Sequence, residues 1–174
     1  MTAPPESTPA ADLGATFGFW VLRLWLAARA LVTGFEKYSA TRSSSEAITI
    51  DGAPNAYGLT ADQSEKVYGL EHYHGVPEAL YERFANEPLV PGLALTVFDK
   101  ALGPALIVLG SMLLLGIGTR VSLLGMGIIY TALTVGLILI RQDAGVAWLG
   151  VHVGLVAFAL TLAPHNRLAV LKKW

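Results

Sequence analysis

Three stretches of the chain are almost bare of charge. Residues 101–119 and 121–140 contain none, and residues 144–164 contain only His152. Each is about 20 residues long, which at about 1.5 Å per residue crosses a hydrocarbon layer of about 30 Å. A fourth stretch, residues 14–36, has similar length and apolar bulk but carries Arg23 and Arg29 inside it. The pattern predicts an all-α integral membrane protein with four transmembrane helices, over about residues 14–36, 98–118, 120–140 and 144–164.

The connections are uneven. Helices two and three meet at Gly118-Thr119-Arg120, and helices three and four at Arg141-Gln142-Asp143. Links that short force antiparallel neighbours, so an up-down bundle is expected. After the first helix comes a loop over residues 38–97, too long for a plain connector and expected to fold over one end of the bundle. Within it, "SSSEAITIDGAPNAYG" reads as turn-rich. "TADQSEKVYGLEHY", capped at Thr60 or Asp62, and "VPEALYERFANE", with Pro77 in its first turn, read as two short amphipathic helices. Tyr68, Tyr73 and Tyr81 suit a belt at headgroup level.

Arg120, Arg167, Lys172 and Lys173 flank one side of the spans, against Arg141 in the opposite short link. The positive-inside rule therefore places both termini in the cytoplasm and the long loop outside, in a membrane of the bacterial inner type. Residues 1–13 are rich in Pro, Ala, Ser and Thr and carry no Lys or Arg, so they read as a disordered tail rather than a cleaved signal. Residues 165–174 read as a cytoplasmic tail.

Composition narrows the classes further. Hydrophobic residues make up 53% of the chain and charged ones 14%, about half the charge of a soluble domain. The net charge of −1 argues against a nucleic-acid partner. There is no cysteine, which excludes disulfides, thiolate metal sites and cysteine nucleophiles together. No phosphate loop, dinucleotide fingerprint, nucleophile elbow or zinc-peptidase helix is present.

The remaining polar residues converge in one region. At about 100° per residue, Arg29 and Glu36 fall within about 20° of each other on helix one, and Arg23 and Lys37 within about 40°. Counting along the axis sets Arg29 and His152 at nearly the same depth in the outer half, with Asp99, Lys100, Arg141 and Asp143 at the outer turns. A candidate pocket lies there, with the long loop as a lid. The bland alternatives are a snorkelling arginine, whose insertion costs only about 2.5–3.5 kcal/mol, and an Arg29–Glu36 pair that fixes packing. A lone histidine in a span can ligate haem, carry a proton or hydrogen-bond a neighbouring helix, and for His152 a hydrogen bond to a quinone oxygen or to a packing partner is the favoured reading. Haem is not expected, because helices one to three supply no second axial histidine. Glu71, His72 and His74 lack a third firm ligand, so no metal is expected either. The stripe Gly150, Gly154, Ala157, Thr161 on helix four is expected to let another helix approach closely.

"FWVLRLWLAARALVTGFEKY", with its Leu22-Arg23 step and Gly34-Phe35-Glu36-Lys37 end, resembles the opening helix of the DoxX/DoxD-like family. "LGPALIVLGSMLLLGIGTR", closing at Gly116-Ile117-Gly118-Thr119-Arg120, resembles that family's second helix. The four-span plan agrees over residues 17–164, with a first loop much longer than usual. One departure stands out: family members often carry an acidic residue within the second helix, where this chain has Ala105 and Leu106. The resemblance implies a small membrane subunit linked to electron transfer, since the founding members belong to a terminal oxidase and a thiosulfate:quinone oxidoreductase.

The expected function is therefore a subunit that binds quinone or an isoprenoid lipid beneath the loop. Arg29 and His152 would hold the head oxygens, Lys37 would stand near them and Arg23 deeper, and Glu36 or Asp99 would handle protons. Its partners would be membrane lipids and the other subunits of a redox complex. The alternative is a non-catalytic anchor or assembly subunit.

Overall fold

The computed structural model describes residues 9–47, 49–50, 53–54 and 60–167. Residues 1–8 and 168–174 of the expected tails lie outside the described residues, as do 48, 51–52 and 55–58 of the turn-rich stretch and residue 59 after it. Five helices carry most of the chain: α1 (Pro9–Glu36), α2 (Glu78–Ala85), α3 (Gly92–Leu115), α4 (Thr119–Leu139) and α5 (Asp143–Leu162). Residues 9–13, read from the sequence as tail, are the first turn of α1.

All but α2 are long and apolar enough to cross a membrane. Their outward faces carry Val21, Val32, Val108, Ile128, Val151 and Phe158, all exposed, while Phe19, Leu26, Leu106, Leu113, Met126 and Val156 are buried between them. A helix apolar on every side has no face to offer water, which suits a lipid surround. Helix α1 packs on α3 and α5, and α4 packs on α3 and α5.

The turn between α3 and α4 explains where α3 stops. Gly116 (φ 74°) and Gly118 (φ 54°) both sit in the left-handed region that side chains disfavour. The N–H groups of Gly116 and Ile117 return to the carbonyls of Leu113 (3.2 Å) and Met112 (2.8 Å), closing the helix end. At its other end α3 starts at Gly92, six residues before the expected 98. Pro91 stands at the cap, and Asp99 and Lys100 are carried within the helix rather than marking its start.

The long loop departs from expectation in two parts, the first being that residues 43–47, 49–50 and 53–54 of the stretch read as turn-rich are strand. The segment read as a helix from Thr60 is a strand: β4 (Thr60–Tyr68) pairs antiparallel with β1 (Ser39–Ala47), from Ser39 opposite Tyr68 to Ala47 opposite Thr60. Two shorter strands, β2 (Thr49–Ile50) and β3 (Ala53–Pro54), pair nearer the tip. Ladder hydrogen bonds between distant residues outweigh the helix preference of Ala61, Glu65 and Lys66. A 3₁₀ turn over Leu70–His72 follows, and then α2, which begins behind Pro77 as the sequence suggests.

Helix α2 has its own small core. Val76, Phe84, Leu95 and Leu137 are buried together, with Leu80, Phe98 and Leu149 against them. This cluster seats α2 across one end of α3, α4 and α5.

Candidate functional site

Beneath α2 lies a cavity of about 240 Å³. Most of its wall is hydrocarbon, from Leu80, Phe84, Leu102, Leu106, Leu133 and Leu149. Its polar groups come from three different helices and the end of α1: Arg29 and Thr33 from α1, Lys37 just beyond it, Tyr130 from α4 and His152 from α5. The arrangement is an apolar chamber with a cationic, hydrogen-bonding side.

His152 is the most constrained of these. It is 3% exposed, and its Nδ1 lies 2.9 Å from the carbonyl oxygen of Trp148, one turn earlier. A carbonyl only accepts, so Nδ1 carries the hydrogen, which leaves Nε2 as the nitrogen able to accept when the ring is uncharged. The rings of Tyr130 and Trp148 stand edge-on to the imidazole at 5.6 and 5.4 Å and hold its orientation. Nε2 is buried and has no hydrogen-bond partner among the described residues. Leaving such an atom unsatisfied costs about 1–3 kcal/mol.

Arg29 adds a second unmet group. Half-buried in the cavity wall, it makes no hydrogen bond or ion pair among the described residues, although its charge reaches the Tyr130 hydroxyl. Lys37 is half-buried too. Burial lowers its pKa from the ordinary lysine value, against the charges of Asp99 and Glu36, which raise it. The cavity therefore combines two cations able to donate with one nitrogen able to accept.

The roof is Gly75-Val76-Pro77, and Asp99 secures it. The Val76 N–H donates to Asp99 Oδ1 at 2.6 Å. Tyr73 makes the neighbouring attachment, at the point where α3 is broken. Pro104 has no N–H, so the Lys100 carbonyl loses its usual donor. The Tyr73 hydroxyl hydrogen is shared between the carbonyls of Asp99 (2.6 Å) and Lys100 (3.0 Å), and its oxygen accepts from Gly103 N–H (3.3 Å). Position 103 must be glycine for this, because a Cβ there would lie 2.6 Å from the Tyr73 ring. Burial raises the pKa of Tyr73, outweighing the lowering by the Gly103 N–H, so the donor stays protonated.

Of the six residues singled out in the sequence, Arg29, Lys37 and His152 line the cavity, and three are placed elsewhere. Asp99 is engaged by the roof. Glu36 turns to the β-ribbon, where its Oε1 meets Lys66 Nζ at 3.1 Å. Arg23 sits toward the opposite end: its Nε donates to Leu113 O at 2.7 Å, and its two terminal nitrogens to Leu114 O at 2.9 Å and Asn166 Oδ1 at 3.1 Å. The physical reason is the C-terminus of α3, whose final carbonyls lack the usual donor four residues on and carry partial negative charge. Asn166 in turn donates to Thr119 Oγ1 at 3.0 Å, tying the start of α4 to the end of α5.

Sequence reasoning missed Tyr130, Phe84 and the Gly75-Val76-Pro77 roof. Tyr130 had a usable signal, as the one tyrosine within the four apolar stretches. Among the described residues no group of three or more His, Asp or Glu is placed to hold a metal ion. No family model matches the chain, and no curated protein or solved structure proves similar to it.

Proposed function

We propose that the chain is a four-helix up-down bundle in a bacterial-type inner membrane, with both termini cytoplasmic and the long loop outside. Its cavity binds the head of a quinone or a related isoprenoid lipid. The observation that carries this reading is the buried, unpartnered Nε2 of His152 in a chamber that also presents Arg29 and Lys37. A quinol head suits that set: one hydroxyl donates to Nε2, and oxygens elsewhere on the ring accept from the cations. Cations beside such an oxygen stabilise the negative charge it gains as its proton leaves. Oxidising the quinol to the quinone releases two protons and two electrons. Nε2 of His152 accepts the two protons in turn, handing the first to solvent before it takes the second, and a partner redox subunit takes both electrons.

The resemblance to DoxX/DoxD-like proteins points the same way and rests on the short motifs of the first two long helices and the four-span plan. The test is gentle extraction in native lipid, then mass spectrometry of what stays bound. A stoichiometric quinone that is lost in Arg29→Leu and His152→Phe supports the reading; its absence from the unaltered protein overturns it.

A second reading is an accessory subunit that anchors a larger complex. It is favoured by α5, where Gly150 and Gly154 face open space with no heavy atom near a Cβ position. Under that reading Gly154→Leu strips partner subunits from the purified protein and leaves any quinone in place.

A further inference from the structure

The chamber that holds His152 is too small for a whole lipid. At about 240 Å³ it falls below the roughly 300–1,000 Å³ of sites that enclose drug-sized ligands. It accepts a ring, and a chain attached to that ring must leave it. Directly beside it is a second hollow of the same size, about 240 Å³, between α3, α4 and the segment joining α2 to α3. The two share a wall made by Val76, Phe84 and Leu133.

The second hollow differs from the first in chemistry and in where it opens. Every residue lining it is apolar, among them Leu89, Val90, Ala94, Leu95, Phe98 and Val135. Its rim reaches the outer faces of the helices: Leu89 is 71% exposed and Val135 51%. Those faces are the lipid-facing ones if the helices span a membrane. The partition between the hollows is the ring of Phe84, which is 6% exposed and lies against Gly136 of α4. Its Cε1 is 3.2 Å from where a Cβ of residue 136 would stand, so the missing side chain is what seats the ring there.

We propose that the groove between α3 and α4 is a binding site for a hydrocarbon chain. It takes the tail of the amphiphile whose head occupies the His152 chamber, and the ligand enters sideways from the bilayer past Phe84. This rests on the proposed head site. Adjacency of the two hollows across the single ring of Phe84, together with an all-apolar lining whose rim is exposed, selects the tail as occupant. The class of ligand is then a ring with oxygen substituents on a single alkyl or isoprenoid chain.

The test uses the full chain in lipid nanodiscs and two probes, the bare dimethoxy-methylbenzoquinone ring and the same ring carrying a decyl chain. Binding is read as quenching of tryptophan fluorescence, since Trp148 lines the head chamber, with Trp148→Phe as the control. Ala94→Phe and, separately, Ala132→Phe fill the groove from α3 and from α4, and both positions are exposed, so folding should tolerate them. Partitioning into the disc is common to all variants and cancels when they are compared.

The expected result is that the bare ring binds all three proteins equally. The added affinity from the decyl chain should fall about tenfold in the filled variants, the effect of displacing two or so buried methylenes. If the gain from the chain is the same in both filled variants as in the unaltered protein, the groove is not the tail site and the head site stands alone. If neither probe gives quenching that Arg29→Leu abolishes, the head site fails and the tail site falls with it.

Discussion

Arg23 and Arg29 lie on the same helix, six residues apart, in equally apolar sequence. Arg23 is 4% exposed and gives hydrogen bonds to two carbonyls at the end of α3 and to Asn166. Arg29 meets no acceptor among the described residues and faces a cavity where a histidine nitrogen is also unmet. One charge in the apolar interior is satisfied by the fold itself, at a helix terminus that needs a cation. The other is left without an acceptor among the described residues. Charge within a span is thus not one signal but two, and the partner, rather than the cost of insertion, tells them apart.

The contrast predicts opposite outcomes for the same substitution. Arg23→Leu should lower stability by about 2–4 kcal/mol in detergent unfolding, because two backbone carbonyls and Asn166 lose a charged donor. Binding of a bare quinone ring should survive in whatever fraction stays folded. Arg29→Leu should keep or raise stability while ring affinity falls about tenfold to a hundredfold, the worth of one hydrogen bond to a charged group. A strongly destabilised Arg29→Leu would erase the distinction. Tyr73→Phe should cost about 1–2 kcal/mol and speed amide exchange at Gly103 and Val76, which depend on the loop staying attached.

The smallest effect concerns Lys37, which stands outside the spans. Burial lowers its pKa in the folded chain below the ordinary 10.5. The unfolded chain therefore binds more protons between the two values, and stability rises with pH through that window. Lys37→Met should be the more stable protein at neutral pH, with the advantage fading as pH climbs toward 10.5. An advantage that stayed constant with pH would remove the ammonium's burial as its cause.

The four apolar helices were legible because runs of about 20 uncharged residues have few other uses. The placing of Arg29 and His152 at one cavity was legible for a simpler reason: rise per residue fixes depth along a helix, and both are nearly the same distance from an end. The β-ribbon was not. Residues 41–45 and 62–66 are polar on both faces and exposed, so no alternation marks them as strand, and the pairing that makes them one joins residues far apart in the chain. The destination of Arg23 was hidden likewise, since Leu113 and Asn166 are distant in sequence and backbone carbonyls leave no mark on it. Helix α3 was started late because Asp99 and Lys100 looked like a membrane boundary, whereas they lie within it.

The hydroxyl of Tyr73 stands where Pro104 leaves α3 without a donor, and this ties two positions into a single unit of exchange. Shortening the loop to a plain linker would expose a proline gap to lipid, and replacing the proline would leave the tyrosine competing with a restored helical bond. Neither change is neutral alone. Loop and proline have to be gained or discarded together, so a trimmed version of this protein, made by design or by descent, is expected to carry an ordinary helix-former at position 104.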